Sequence, residues 1–405
     1  MNRRDLLLLS LFRASRSIAA GLIMIAFPYL VLQRLRFGPF ALGLIYVAGA
    51  AGTALLGLLL GFLGDIWGRK LALFLSGVLL PVSALLVFLS SHLGFLVVAA
   101  AVGGLSATGS LPGGGVGGAS GPVQSAVIAD LVAPARRTFY FSMFTFLSGV
   151  FGALGALLAR LVDVRDAFLV ATVVALLGLP MVLALPVPAA KGKLRELPGK
   201  AVIGKFSLTA LLNGLAGGLV VPFLIPFFVL VYSLPKSRMA VFGFIAGLMA
   251  SLAIFLAPVL ERSLGFVRTV AWTRGIGAVL LIILPLERWL PLSLGIYLVT
   301  PTLRMIAMPV QRSALVDMVQ RDERGRALAA NQVARLSAGS LGIVLSGWFF
   351  ETAEIAFPFL LYAGVMFANI FLYFHFFSSW KGPAEPQAVE EADLKREDSL
   401  GKASL

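Results

Sequence analysis

Long apolar runs, separated by short polar segments, recur along almost the whole chain. A run of about 20 apolar residues is the length that a helix needs to cross a hydrocarbon core roughly 30 Å thick. The pattern predicts twelve crossings, called spans 1 to 12 below. Their expected bounds are residues 6–32, 39–62, 71–90, 93–131, 138–160, 167–188, 202–231, 239–260, 269–286, 291–318, 326–350 and 355–379. The chain is therefore expected to be an all-α membrane protein.

The longest polar interruption between spans divides the twelve into six and six. It predicts a first half at residues 1–188, a cytoplasmic linker at 189–205 and a second half at 206–380. The remaining residues, 381–405, are polar and mixed in charge, a composition typical of a disordered cytoplasmic tail.

The two halves resemble each other in sequence. Residues 122–137 align with residues 309–324 at a shift of 187, and the matches include Pro-Val-Gln, a later Asp and the final Arg. Gln124 and Gln311 correspond under this shift. We expect an internal repeat and two pseudo-symmetric six-helix halves.

Composition and charge support a membrane location. Hydrophobic residues make up 59% of the chain and charged residues 13%, against roughly 25% charged in a typical soluble domain. The net charge is +14, and most Lys and Arg fall on cytoplasmic segments if the N-terminus is cytoplasmic. This distribution predicts a multi-pass plasma-membrane protein with both termini in the cytoplasm. Because topology accounts for the positive charge, nucleic acid is not expected as a partner. The chain has no cysteine, which excludes disulfides and thiolate metal sites.

The segment between spans 2 and 3 carries a recognisable motif. It contains Gly61, Asp65, Gly68, Arg69 and Lys70. Here the chain resembles the major facilitator superfamily, whose loop at this position has the same Gly, Asp, Gly-Arg and basic residue. The resemblance implies a fold of two six-helix halves and a transporter that works by alternating access. It also implies that Asp65 docks against the start of span 11 when the protein is closed to the cytoplasm.

Further charges repeat between the halves near the same membrane surface. Asp130 ends span 4 and Asp317 ends span 10, and an Arg follows each at seven residues. We predict that these charges and the motif form a conformational latch. Its members are Gly61, Asp65, Gly68, Arg69, Asp130, Arg137, Asp317 and Arg324.

Ionisable residues within spans are candidates for the solute pathway, because an arginine at membrane depth costs about 2.5–3.5 kcal/mol even on lenient scales. Arg13, Arg274 and Arg312 lie near a span end and are expected to reach the membrane surface along their side chains. Deeper arginines and amides form the predicted pathway, in which the resemblance implies a cavity lined by spans 1, 4, 7 and 10. The predicted pathway residues are Arg16, Gln124, Asn213, Arg304, Gln311, Asn331 and Arg335.

Two stretches of small residues and one glycine-rich segment remain. Span 5 and span 11 each carry a stripe of Gly, Ala and Ser that favours close helix contact. Predicted span 4 has 39 residues, about 58 Å of helix, which is too long for one crossing. Residues 109–121 supply the excess. They are either a break at membrane depth beside the solute pathway, or an outer loop that precedes a helix starting near Gly117.

The sequence favours one function over three alternatives. Every Asp and Glu falls in a loop, a tail or a helix end, so no buried carboxylate is available for a proton relay. An organic solute, polar or anionic and held by arginines and amides, therefore fits better than proton-coupled multidrug efflux. A non-transporting receptor or scaffold stays open. The motifs of metalloproteases and serine hydrolases are missing, so no enzyme, metal or cofactor is expected. The expected partners are a small-molecule solute and the lipid bilayer, a coupling ion stays open, and the chain is expected to be a monomer.

Overall fold

The structure is a computed structural model that describes residues 3–105, 120, 123–124, 127–128, 132, 137–186, 200–318 and 324–378. All regular secondary structure in these ranges is helical. Eleven helices in them are long and apolar enough to cross a membrane, and Leu93–Gly103 is a shorter apolar helix at the start of predicted span 4. The predicted all-α membrane fold is confirmed. The glycine-rich segment 109–121, except Ser120, lies outside the described residues, and so does the choice between its two interpretations.

Each described helix keeps the number of the span that it contains. In the first half the helices are Arg3–Tyr29 followed by a π-helical turn Leu30–Arg34, then Pro39–Trp67, Arg69–Leu89, Leu93–Gly103, Arg137–Leu158, and Asp166–Leu177 with Leu179–Leu183. In the second half they are Lys200–Val220 with Leu224–Val231, Lys236–Ala253 with Ala257–Leu264, Phe266–Leu286, Leu290–Asp317, Arg324–Glu351 and Ala356–Phe377.

Prolines mark the places where spans change their helical type. Pro28 precedes the π-helical turn of span 1, and Pro222 lies in the 3-10 turn Val221–Phe223 that divides span 7. Proline has no backbone N–H and its ring clashes with the preceding turn, which favours a change of helical type at these two places. Pro81, Pro301 and Pro309 lie inside helices that continue as α-helix, so a proline alone does not set an interruption.

The two halves turn at equivalent glycines. Gly68 separates spans 2 and 3 with φ of 99°, and Gly265 separates spans 8 and 9 with φ of 78°. A residue with a Cβ rarely adopts this left-handed region. The backbone conformation therefore requires glycine at both positions.

Glycines also allow close helix contacts inside each half. A Cβ on Gly155 of span 5 would lie 2.0 Å from the carbonyl oxygen of Ile18 in span 1. In the same way, a Cβ on Gly218 of span 7 would lie 2.0 Å from the carbonyl oxygen of Gly339 in span 11. Small residues let two backbones approach in this way in membrane proteins. The stripes of spans 5 and 11 thus pack against spans 1 and 7 of their own halves.

The halves join firmly at one end of the bundle, called the closed end, where spans 1 and 7 finish and spans 2 and 8 begin. Tyr29 Oη donates a hydrogen bond to the Leu234 carbonyl at 2.7 Å. The Phe40 backbone N–H donates to a carboxylate oxygen of Glu351 at 3.1 Å. A shared apolar core with residues of both halves lies beneath these contacts.

The opposite end, where Arg3 begins span 1 and Phe377 ends span 12, is called the terminal end. Here each half has its own apolar cluster among the described residues. One contains Phe12 and Phe144 of the first half, and the other contains Phe206 and Phe266 of the second. The described halves therefore share one apolar core at the closed end, and each has a separate apolar core at the terminal end.

Candidate functional site

A cavity lies among spans 7 to 12 and extends from the shared core towards the terminal end. Its volume is about 140 Å³, well above the roughly 10–15 Å³ that a single water needs. Met24 of span 1 is the first-half residue among its described lining. The charged and amide side chains of the lining are Asn213, Arg274, Arg304, Gln311, Arg312, Asn331, Gln332 and Arg335.

Arg304 lies midway along span 10 and faces span 7. A Cβ on Gly217 would lie 3.3 Å from Arg304 Nη2, so the guanidinium lies directly beside the glycine. A side chain at position 217 would press on this guanidinium, which would have to shift by a few tenths of an ångström to make room for a Cβ. Glycine at this position therefore lets the guanidinium lie against span 7.

Arg274 of span 9 is held by its neighbours and is only 7% exposed. It donates a hydrogen bond to Asn369 Oδ1, and Asn369 Nδ2 donates in turn to the Thr209 carbonyl at 2.7 Å. Its guanidinium carbon lies 4.8 Å from the centre of the Tyr373 ring, in cation–π range. The interpretation that Arg274 reaches the membrane surface is wrong, because the packing of spans 7, 9 and 12 encloses it.

Three further residues line the part of the cavity nearer the terminal end. Arg335 Nη2 donates to Gln332 Oε1 at 2.7 Å, and Asn331 Nδ2 donates to the Phe206 carbonyl at 3.0 Å. Gln311 Nε2 is buried and has no hydrogen-bond partner in the part of the chain that the structure describes. Because an unsatisfied buried donor costs about 1–3 kcal/mol, this amide is suited to bind an acceptor on a water or solute.

The charge of the cavity is one-sided. Four arginines line it, and its described lining contains no Asp, Glu, Lys or His. Charges act strongly where protein of low dielectric surrounds them, and a cleft of one sign concentrates ions of the other sign. The cavity therefore provides a positive site with amide donors, which suits an anionic group.

Two of the predicted pathway residues lie in the first half, outside this cavity. Arg16 Nη1 donates to the carbonyls of Ser76 at 3.0 Å and Gly77 at 3.3 Å. Gln124 Oε1 accepts from Arg13 Nη1 at 3.0 Å. The other five predicted residues, namely Asn213, Arg304, Gln311, Asn331 and Arg335, share the cavity. The pathway role of all seven stays a prediction.

Arg13 is engaged inside the first half. Its Nε donates to Ser148 Oγ of span 5, and its guanidinium carbon lies 5.8 Å from the centre of the Phe144 ring. Gln124, which accepts its second hydrogen bond, donates onward to Ser120 Oγ at 3.0 Å. Arg13 therefore ties span 1 to spans 4 and 5, and the expectation that its side chain reaches the membrane surface is wrong.

The predicted latch is described only in part. Gly68 has a left-handed backbone conformation. A Cβ on Gly61 would have nothing within 4 Å, so no other backbone approaches Gly61 closely in this conformation. The side chains of Asp65, Arg137, Asp317 and Arg324, and all of Asp130, lie outside the described residues. The latch stays a prediction.

Sequence reasoning missed the aromatic part of the site. Tyr297, Tyr362 and Tyr373 line the cavity together with Phe206. No spacing along the chain distinguishes these rings from the many other aromatic residues of the spans. Their convergence follows from helix packing alone.

Comparisons with known proteins place this architecture. The family model described as Major Facilitator Superfamily matches residues 9–308. No curated protein sequence matches the chain at a significant level.

Three solved structures show the fold. A mutant of the nucleoside transporter NupG superposes with a TM-score of 0.73 at 13% identity, covering 92% of this chain and 100% of that one. A bacterial homologue of the human lysosomal transporter Spinster, inward-facing and occupied, gives 0.72 at 16% identity, covering 94% and 98%. The human organic anion transporter MFSD10 (TETRAN) gives 0.65 at 15% identity, covering 92% and 99%. The family model covers most of the chain, and eleven described helices are long and apolar enough to cross a membrane. The chain is therefore a multi-pass membrane protein that belongs to the major facilitator superfamily of transporters.

Proposed function

We propose that this chain is a secondary transporter that moves a small organic anion across the membrane by alternating access of its two halves. The observation that carries the proposal is the cavity with four arginines and no carboxylate in its described lining. Arginines within membrane spans are costly where no carboxylate balances them, and an anionic solute would offset part of that cost. The fold alone does not choose the solute, since its structural neighbours are named for nucleosides and organic anions.

We further propose that the present conformation faces the cytoplasm. The halves are joined at the closed end, and the cavity side chains Arg312 and Gln332 are exposed towards the terminal end. The positive-inside rule makes the terminal end cytoplasmic. A cysteine replacing His92 should then react with an impermeant maleimide added to intact cells, whereas one replacing Lys205 should react only after permeabilisation. The reverse pattern would invert the orientation.

The predicted latch belongs to this cycle. In the family, the Asp at the position of Asp65 docks when the cytoplasmic side is closed, and we propose the same role here. Asp65→Asn should slow solute exchange and leave the protein folded. Unchanged exchange rates would remove this aspartate from the cycle.

Proton-coupled drug efflux is the less favoured function. A proton relay in the membrane is usually built from Asp, Glu or His, and none lines the described part of the cavity. A cationic drug would also meet four like charges. A non-transporting receptor would share the same binding chemistry but would not exchange solute.

Counterflow of labelled solute in proteoliposomes tests the proposal. We expect exchange for at least one carboxylate, sulfonate or phosphate in a labelled panel, and none for labelled choline. Arg335→Gln should reduce that exchange at least about tenfold, because a hydrogen bond to a charged group contributes about 1.5–3 kcal/mol. The control Arg34→Gln removes the same charge from an exposed site that is bonded to Asp163 and should leave exchange unchanged.

Three outcomes would contradict the proposal. Exchange of choline that ignores Arg335→Gln would replace the anion with a cation. Saturable anion binding without any exchange would favour the receptor. Equal effects of Arg335→Gln and Arg34→Gln would assign the loss to total charge rather than to the cavity.

A further inference from the structure

We infer that the solute is an amphiphilic anion, whose apolar body lies against the closed-end part of the cavity and whose charged group lies at the arginines nearer the terminal end. This inference rests on the proposed function and adds the class and the orientation of the solute. Its basis is the order of side chains along three of the cavity helices.

Span 10 shows the order most directly. Tyr297, Arg304 and Gln311 all line the cavity and follow one another at intervals of seven residues, which places them on one face of the helix. Each interval is two turns, about 10 Å along the axis. From the closed end towards the terminal end, this face presents an aromatic ring, then a guanidinium, then an amide.

Spans 7 and 9 repeat the order at the same interval. On span 9, Leu281 lies seven residues nearer the closed end than Arg274. On span 7, Val220 lies seven residues nearer the closed end than Asn213. The three helices therefore show the same order of apolar and polar side chains. They do so although span 10 runs away from the closed end and spans 7 and 9 run towards it.

The remaining lining at the closed end is also apolar. Met24 reaches the cavity from span 1, and Leu224 and Ile225 follow Val220 on span 7. Leu224 and Ile225 are 6% and 5% exposed and belong to the core shared by both halves. The hydroxyl of Thr300, a polar side chain at this level, is satisfied by the Ile296 carbonyl at 2.7 Å. A solute that reaches this depth meets hydrocarbon and aromatic surface.

These positions decide between two kinds of anion. A compact hydrophilic anion such as phosphate would fill the arginine level and make no contact with the roughly 10 Å of apolar wall beyond it. An anion with a hydrocarbon body would remove its own methylene groups from water and pack them against that wall. Burial of one methylene corresponds to about fourfold in affinity, so the apolar part of the cavity favours the longer anion by a large factor.

A chain-length series measures the inference on the unmodified protein. Straight-chain carboxylates from acetate to decanoate would compete with labelled octanoate for equilibrium binding to the purified protein. Each carboxylate is kept below its micelle-forming concentration. We expect affinity to rise about fourfold per methylene and to level off when the chain exceeds the apolar wall. Primary alcohols and amines of the same lengths should compete at least tenfold less well.

Two variants separate the levels of the cavity. Arg335→Gln should weaken all carboxylates by a similar factor and preserve the slope with chain length. Val220→Thr, which replaces one methyl by a hydroxyl of similar size, should flatten the slope and leave acetate unchanged. If Val220→Thr lowers folding yield, the slope of the unmodified protein still decides the question.

The outcomes distinguish this inference from the proposed function. If acetate and decanoate compete equally and both depend on Arg335, the chain binds anions but not amphiphilic ones, and the inference fails alone. If only amines compete, both fail. If octanol competes as well as octanoate, the slope reflects partition into the bilayer, and the inference is overturned.

Discussion

The arginines within the spans have different surroundings in the first half and in the second half. In the first half, Arg13 and Arg16 donate to side chains and carbonyls of their own half. In the second half, four arginines line a cavity whose described wall has no carboxylate, namely Arg274, Arg304, Arg312 and Arg335. Helix contacts do not differ in this way, since each half has a glycine that lets two backbones touch. The two halves therefore share this type of helix packing but differ in the groups that surround their arginines.

The largest expected effect tests the shared packing. Gly155→Ala and Gly218→Ala each place a Cβ 2.0 Å from a backbone carbonyl oxygen, so the helices must separate. Overpacking of this kind typically costs about 1–3 kcal/mol and occasionally more. We expect both variants to lose folded protein, measured as the yield of monodisperse protein and as the unfolding temperature.

Gly364→Ala is the matched control, because a Cβ on this helical glycine has nothing within 4 Å. It should leave stability unchanged or raise it by up to about 1 kcal/mol. Loss of stability in only one of the two packed variants would show that the halves do not share their packing after all.

The next effect separates the arginines. Arg13→Gln removes the hydrogen bonds to Ser148 and Gln124, so it should lower the free energy of unfolding by about 1.5–3 kcal/mol. Anion affinity of the folded fraction should change less than threefold. Arg335→Gln should show the opposite pattern. Thermal unfolding and equilibrium binding on the same preparations give both quantities, and a tenfold loss of affinity in Arg13→Gln would make the first half part of the binding site.

A smaller effect concerns the contact that joins the halves at the closed end. The Glu351 carboxylate accepts from Phe40 N–H in the first turn of span 2, and anions at helix N-termini contribute about 0.3–1 kcal/mol. Glu351→Gln should therefore raise the population of the state open at this end by up to about fivefold. Labelling of a cysteine at Met24 from the closed-end side measures that population. Unchanged or slower labelling would show that this carboxylate does not hold the end shut.

The smallest effect concerns an exposed pair of the first half. The Arg165 backbone N–H and the Arg34 guanidinium donate to the Asp163 carboxylate and hold its pKa below the usual range. Because the folded pKa is the lower one, this stability is present above the unfolded pKa of about 4 and is lost as pH falls through the folded pKa. Asp163→Asn should cost less than about 1 kcal/mol at pH 7, and this cost should shrink as the pH falls through the folded pKa. A cost that does not decrease at acidic pH, measured by chemical unfolding, would rule out the charge as its source.

The site was predictable from sequence only in part. Arg304 and Arg335 stood out because an arginine deep in an apolar run is costly, and both line the cavity. Arg16 stood out for the same reason, yet it binds carbonyls of span 3. Arg274 was misjudged, because distance from a span end does not show which neighbours enclose a side chain. Depth in the membrane can be counted along the chain, but the direction of a side chain depends on partners that are distant in sequence.

The sequence by itself determined the all-helical membrane fold, the length of the spans and the family, because the bilayer imposes one length and satisfies no backbone hydrogen bond. Local chemistry also determined the turns at Gly68 and Gly265. Only the tertiary structure decided that the halves meet at one end, that Asn369 holds Arg274, and that apolar and cationic side chains follow one another along the cavity. These features join residues up to hundreds of positions apart, and the rotation of each helix about its axis is set by packing against all its neighbours at once.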